Sequence, residues 1–492
     1  MPMAAEQLTP GQALDRALSS SEAASQQRRL PALRSASQLK LVYTAGNDGM
    51  NTLYVFDGAG KGFMIVAADD AVDTPLLGYS ESGSFDPENI PANMAWFLEG
   101  YSRKVAAVAS GEESTYSAAA PGRRDIAPIC RTKWDQISPY NDMCPEKDGQ
   151  HAYTGCAATA MAQIMKAHNW PVSGEGSNRY TPTGYPAQEV DFSESVYDWA
   201  NMTNTYDSKS TDSQKKAVAK LMYDCGVAQN MVYSNDGSGA LSTAAPTAFI
   251  DYFRYSRGLR PYFRESFHYD EFVGMIYDEL IAGRPVLVTG SNYTNGQNMG
   301  HAFIVDGYHA DGDYFHLNWG WSGMSDGYYL ISALDPAMQG SGGSASGYNM
   351  GSLAVMGIAP DRDGNSPEGV PYIFSNTDFK TARNQYTHNG SVVFFSGGSG
   401  QGVFNYTPFQ VSVRPGVKLV NEATGEESTI YGTSFNMPYA RGITSFSVSA
   451  ASFPTDGNYI VTPGFLFEDK WFDIRVAINR NQKLRLEASN TE

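Results

Sequence analysis

Cys156 stands between Gly155 and a run, Ala157 to His168, whose spacing is that of a helix. A cysteine at a helix start meets the positive end of the helix dipole and backbone N–H groups without intrahelical partners. Both stabilise a thiolate and lower the thiol pKa. Such a sulfur becomes an acyl-transfer nucleophile once an imidazole stands beside it. Far downstream, Gly300-His301-Ala-Phe-Ile-Val-Asp-Gly-Tyr308 sets a histidine in an apolar, strand-like segment. Taken singly, a free cysteine is more often a packing residue and a lone strand histidine a core residue. The chemistry therefore rests on partners.

Two partners are in place. A catalytic histidine needs an acceptor for its second ring nitrogen, and the amide oxygen of Asn318 supplies one without adding charge. The adjacent Trp319 and Trp321 are placed to shield that bond from water, although ordinary core packing explains them equally. Acyl transfer also develops negative charge on a carbonyl oxygen, which calls for preorganised donors. Gln136, upstream of the nucleophile, is a neutral side-chain donor, and the Cys156 backbone N–H is the second. Gly155, Gly300 and Ala302 flank the two reactive residues and are expected along the substrate cleft. Gly239 and Gly340 lie in the small-residue loops 234–239 and 339–351, each readable as a border of the substrate cleft or as a plain surface loop.

Three regions must position these residues. Residues 1–124 read as an α+β unit with strands at Leu39–Tyr43, Thr52–Phe56 and Gly62–Ala67 and a helix from Pro91 to about Val108. It ends in a polar, unpatterned stretch from Ser110 to Arg124 that reads as an exposed, protease-accessible linker. Residues 125–362 hold all the chemistry, with helical patterns first (the Cys156 helix, Ser213–Gly226, Thr243–Phe253) and alternating strands second. That order implies an α+β fold with a cleft between a helical half and an antiparallel β half. Residues 363–492 show short strands broken by Gly and Pro, the pattern of a β-sandwich.

Composition excludes several classes. The 492-residue chain carries 35 Lys+Arg against 52 Asp+Glu, a formal net charge of −17, which argues against nucleic acid as a partner. No apolar stretch reaches the roughly 20 residues of a membrane helix, and the first residues lack the apolar core of a signal peptide. The chain is thus either cytosolic or a secreted protein read without its leader. Of the four cysteines, Cys225 reads as a packing residue, and Cys130 and Cys144 are a possible disulfide supported only by an even count. His151, His309 and His316 with Asp306 and Asp311 lack ligand spacing, so no metal and no cofactor are expected.

The motifs Trp134-Asp-Gln136, Ser138-Pro-Tyr-Asn141, Thr154-Gly-Cys-Ala-Ala-Thr-Ala160, Ala162-Gln-Ile-Met-Lys166, Gly300-His-Ala-Phe303, Asn318-Trp-Gly-Trp321 and Ser325-Asp-Gly327 occur in order. Together they resemble the streptopain family of bacterial cysteine peptidases, over roughly 62–357. The resemblance implies a papain-like two-subdomain catalytic domain in which Cys156 is the nucleophile, His301 the general base and acid, and Gln136 the oxyanion donor. Asn318 and Trp319 then support the histidine. It further implies a secreted or cell-surface zymogen acting on protein and peptide substrates, with its own prodomain as intramolecular inhibitor. Segments 63–66 and 77–86 resemble the family's propeptide, and within 85–93 Asn89 is the expected residue approaching His301. Two other readings compete: a transglutaminase-like acyl transferase with the same Cys–His pair, and a secreted binding or adhesion protein acting through its C-terminal β-region.

Overall fold

The computed structural model describes residues 6–20, 39–47, 49–112, 122–294, 297–331, 352–387, 391–395, 401–449, 453–478 and 480–489. These residues form two compact units, one of residues up to 256 with 269–365, the other of 257–268 with 366–492.

The first unit is organised by one antiparallel sheet. Its N-terminal portion is the meander β1 (Lys40–Asn47), β2 (Met50–Asp57), β3 (Phe63–Ala67) and β4 (Leu76–Ser80). The buried runs of β3 and β4 lie under α1 (Pro10–Ser19) and α2 (Ala92–Ala109), so both strand faces are covered and neither needs polar alternation. The start of α1 is set locally: Thr9 and Gln12 form a capping box, with Pro10 at the first helical position.

The helical layer that follows comprises α3 (Cys156–His168), α4 (Asp212–Ala228), α5 (Ala244–Phe253) and α6 (Tyr269–Ile281). After it the sheet resumes with β5 (Val286–Thr294), β6 (Gln297–His309), β7 (Tyr314–Asn318), β8 (Gly327–Tyr329) and β9 (Leu353–Met356). In space the order is β1-β2-β3-β4-β8-β7-β6-β5-β9. The N-terminal meander and the later strands are therefore one continuous ladder, joined where Tyr79 pairs with Tyr328 and Gly78 with Tyr329. The junction demands glycine on both sides. A Cβ on Gly78 would come 2.6 Å from the Tyr329 ring, and one on Gly327 would come 2.4 Å from the Tyr79 carbonyl oxygen. Helix α2 clasps the same seam: the Tyr101 hydroxyl donates to the carbonyl oxygens of Leu77 and Leu330, at 2.6 and 2.5 Å.

The second unit is β-rich. Val411–Asn421 and Gly457–Phe467 pair along their length, flanked by Glu427–Tyr431 and Leu484–Ser489. Their inward residues Val417, Leu419, Ile430, Tyr459, Val461, Phe465 and Leu486 share a core with Val392, Phe394, Phe446 and Val448 of the paired strands Ser391–Phe395 and Ser445–Ser449. Two layers of strand around one core make a sandwich.

The sequence reading omitted α1, α6, β4 and β9. It also shortened the long strands of the second unit. All four cysteines are free, so Cys130 and Cys144 are not bonded to each other.

Candidate active site

Gly155 precedes α3 with φ 88°, and a Cβ there would come 2.7 Å from Met231 Sδ and 3.1 Å from the Ser238 carbonyl oxygen. Only glycine fits both constraints. Cys156 follows as the first helical residue, with no side chain capping the helix. The backbone N–H groups of Ala302, Ala157 and Cys156 itself favour the thiolate and act to lower its pKa. The residue as a whole is partly exposed, but its sulfur is enclosed. Burial therefore outweighs the three donors and pushes the thiol pKa up. The helix start alone suggested a lowered value; in this state desolvation wins.

Strand β6 packs against α3, and its His301, the chain neighbour of Ala302, pairs with Gly290 of β5. The side chain of His301 lies outside the described residues, as does Gly340 with the glycine-rich loop around it. Gly300 pairs with Ser291 in the same ladder. Gly239 closes a small loop by exchanging backbone bonds with Val232, at 2.8 and 3.1 Å. That loop borders the start of α3 through Ser234 and Ser238.

Gln136 is buried, and its carbonyl oxygen accepts from the N–H of Thr154, two residues before the nucleophile, at 3.1 Å. Asn318 is buried as well, but its amide is fully engaged. Its Nδ2 donates to the Thr132 carbonyl at 2.8 Å and to Gln163 Oε1 at 3.3 Å. Its Oδ1 accepts from Gln163 Nε2 at 3.0 Å and from the Gly320 N–H at 3.1 Å. Two donors and two lone pairs are thereby used, so in this state the expected acceptor for a histidine is committed to Gln163 and Gly320. Trp319 is packed edge-on between Phe303, Phe97 and Tyr329, with ring centroids 5.0–5.6 Å away. Its backbone N–H donates to Asp326 at 2.9 Å and its indole N–H to the Ser325 carbonyl at 2.9 Å.

Behind this turn lies an ionisable group made of the buried Asp306 and the partly buried His316 and Asp326. His316 Nδ1 is 2.6 Å from Asp306 Oδ1, while Asp306 Oδ2 accepts from the Cys130 N–H at 2.8 Å. Desolvation pushes the Asp326 carboxyl up to about 6, despite the opposing pull of His316. The His316 pKa is raised on balance: its own burial opposes the charge, and Asp306 more than offsets that.

The N-terminal region reaches the site through Asn93, not Asn89. Asn89 is exposed and donates to Asp86 at 2.7 Å, closing its own turn. Asn93, at the start of α2, is buried, and its Nδ2 donates to the carbonyl oxygens of Trp319 (2.8 Å) and Ala302 (3.1 Å). Three residues on, Trp96 packs where a Gly290 side chain would stand, 2.8 Å from that Cβ position and directly across from His301. Further along the seam, the Tyr79 hydroxyl is 2.5 Å from His309 Nδ1, and His309 stacks on Tyr328 at 3.6 Å. Sequence reasoning gave no role to Asn93, Gln163 or the Asp306–His316–Asp326 group. Asn93 lay in the expected segment 85–93, Gln163 and Asp326 lay in family-like motifs, and Asp306 and His316 were weighed only as metal ligands.

Comparison with known proteins agrees with this arrangement. Residues 134–329 match the model of the Peptidase C10 family, and residues 5–105 that of the Spi protease inhibitor. The chain is 34% identical to streptopain of Streptococcus pyogenes over 351 residues, covering 66% of this chain and 86% of streptopain. It is 35% identical over 358 residues to the thiol protease/hemagglutinin PrtT of Porphyromonas gingivalis, covering 68% of this chain but only 40% of PrtT. A structure of a Prevotella intermedia prointerpain A fragment superposes with a TM-score of 0.57 at 30% identity, covering 65% of this chain and 98% of the fragment. The cysteine-bearing helix and the histidine-bearing strand thus fall within the peptidase match, and the N-terminal meander within the protease-inhibitor match. The chain belongs to the streptopain family, Peptidase C10, as a cysteine protease zymogen with an inhibitor-type prodomain.

Proposed function

We propose that this zymogen matures to a secreted endopeptidase that cleaves proteins through a Cys156 thioester. The thiolate of Cys156 attacks the scissile carbonyl, and the oxyanion formed takes hydrogen bonds from the Cys156 N–H and the Gln136 side-chain amide. As the tetrahedral centre collapses, His301 protonates the leaving amine and a thioester remains. Water, deprotonated by His301, then attacks the thioester, releasing the carboxylic acid and returning the proton to the Cys156–His301 pair. Trp319, buried beside Phe303 on the histidine's strand, supports that strand from behind.

The observation that carries this reading is the packing of α3, which begins at Cys156, against β6, the strand that bears His301. The Gln136 carbonyl oxygen takes the Thr154 N–H just upstream of the cysteine. Latency follows from Asn93. Its amide bonds both the histidine's strand and the Trp319 carbonyl, so the prodomain holds the site in a buried, high-pKa state. No helix among the described residues is long and apolar enough to cross a membrane, which is compatible with release from the cell.

The test is incubation of the purified full chain beside Cys156→Ala under reducing conditions. Self-processing predicts loss of roughly the first 124 residues from the parent alone, followed by hydrolysis of an unfolded protein substrate. If both chains stay intact and no substrate is cut, the reading fails. Incorporation of an amine in place of hydrolysis would instead indicate a transferase.

A further inference from the structure

Gln163 sits on α3 seven residues after Cys156, two helical turns along the same side. It is completely buried. Burying an amide among apolar neighbours is costly unless its hydrogen bonds are made, and here each end is used. Oε1 accepts from the Thr132 hydroxyl at 2.9 Å, the Trp134 N–H at 3.3 Å and Asn318 Nδ2 at 3.3 Å, while Nε2 donates to Asn318 Oδ1 at 3.0 Å. The partners come from two stretches far apart in sequence. Trp134 stands two residues before Gln136, and Asn318 immediately precedes Trp319. The ring closes where Asn318 Nδ2 donates to the Thr132 carbonyl at 2.8 Å.

We infer that Gln163 is a positioning residue for peptide cleavage, locking the Gln136 segment and the Trp319 turn to the helix that carries Cys156. This deepens the peptidase reading and rests on it. The segments are joined here by isolated backbone bonds rather than a ladder, Thr154 N–H to the Gln136 carbonyl at 3.1 Å and Ser322 N–H to the Trp134 carbonyl at 3.0 Å. A side chain with both a donor and an acceptor can fix the distances among them, whereas an apolar side chain of the same volume fills the space and fixes nothing. Asn318 acts in the same lock, which accounts for its saturated amide.

The test uses the full chain, matured under reducing conditions, with activity normalised to active sites counted by an irreversible thiol-directed inhibitor. In Gln163→Met, kcat should fall about 100-fold, the loss associated with displacements near 1 Å, while KM stays within about threefold. In Gln163→Glu the carboxylate lacks the donor to Asn318, but the neutral acid has one donor and one acceptor like the amide. Its kcat relative to the parent should therefore recover as the pH falls. An unchanged kcat in Gln163→Met, or a loss accounted for wholly by fewer titratable sites, overturns the role. If Gln163→Met does not mature, Gln163→Glu decides: acid-side recovery supports the lock, and a pH-independent ratio to the parent overturns it. A parent that cleaves no peptide overturns the peptidase reading itself, a result visible before any variant is compared.

Discussion

The side-chain amide of Asn93 donates to the Trp319 carbonyl oxygen at 2.8 Å, and its second N–H reaches Ala302 at 3.1 Å. One prodomain side chain thus holds the turn behind the active site and the strand beside the nucleophile. Removing it strands two carbonyl oxygens in a buried interface, at a cost of about 2 kcal/mol. Asn93→Ala precursor should accordingly mature about thirtyfold faster than the parent, followed by gel densitometry over time. Asn89→Ala should mature at the parental rate, because Asn89 bonds only within its own turn. Equal rates for all three chains would remove Asn93 from the account of latency.

Gly78 offers a second handle on docking. Tyr329, which a Cβ there would strike at 2.6 Å, is fully buried and has nowhere to move. Gly78→Val should open the β4–β8 seam. The expected readout is faster cleavage of the N-terminal region by a trace of added protease, with the Cys156→Ala background used to block self-processing. Unchanged protection would mean that α2, not the strand ladder, carries the attachment.

Burial raises the Cys156 thiol pKa in the precursor. Its alkylation by iodoacetamide, followed at the Cys156 peptide by mass spectrometry, should keep rising with pH past 9, the ordinary value for such a group. Mature enzyme should instead reach its plateau below neutrality as the thiolate pairs with imidazolium. A precursor plateau near pH 7 would contradict a thiol whose pKa burial has raised.

Asp326 and His316 give a stability prediction with a defined sign. The Asp326 pKa is raised from 3.8 to about 6 on folding, and that of His316 is raised above 6.5. In both cases the folded state binds the proton more tightly, so stability falls as pH rises through these values. For Asp326 the loss begins above about 4 and is complete a little above 6; His316 continues it past 6.5. The groups facing Asp326 are His316, Asp306, Lys133 and the Trp319 N–H. Asp326→Asn keeps the acceptor for Trp319 and removes the titration. With Cys156→Ala as the common background, the difference in Tm between the chain carrying Asp326→Asn and the chain without it should therefore shift in favour of the substituted chain from pH 4.5 to 7.5. A constant difference would show that Asp326 does not titrate there.

Local patterns made much of the scaffold legible. The expected helix from Pro91 to about Val108 runs Ala92–Ala109 with Met94, Phe97, Leu98 and Tyr101 buried, because its apolar residues recur at helical spacing. Strand β4 was not legible: Leu76–Ser80 is five residues with a central glycine, and its partner Tyr328 lies some 250 positions away. The Thr9–Gln12 capping box was readable and simply passed over. At the site, residue type singled out Cys156 and His301 as candidates, but the partners of Asn318 and Gln163 are long-range contacts that no spacing encodes. The sign of the Cys156 shift was misjudged for the same reason. A helix start is visible in sequence, whereas the enclosure that overrides it is tertiary.

The shared ladder has a consequence for how the protein behaves in bulk. While β4 is in place, β8 is an interior strand; once the N-terminal region departs, Gly327–Tyr329 becomes a bare edge with unpaired N–H and C=O groups. Each cleavage therefore turns a capped particle into one with an adhesive rim, opposed by whatever net negative charge the remaining chain retains. Colloidal behaviour should track the extent of maturation, with precursor stocks staying dispersed and concentrated mature stocks becoming salt-sensitive as that repulsion is screened.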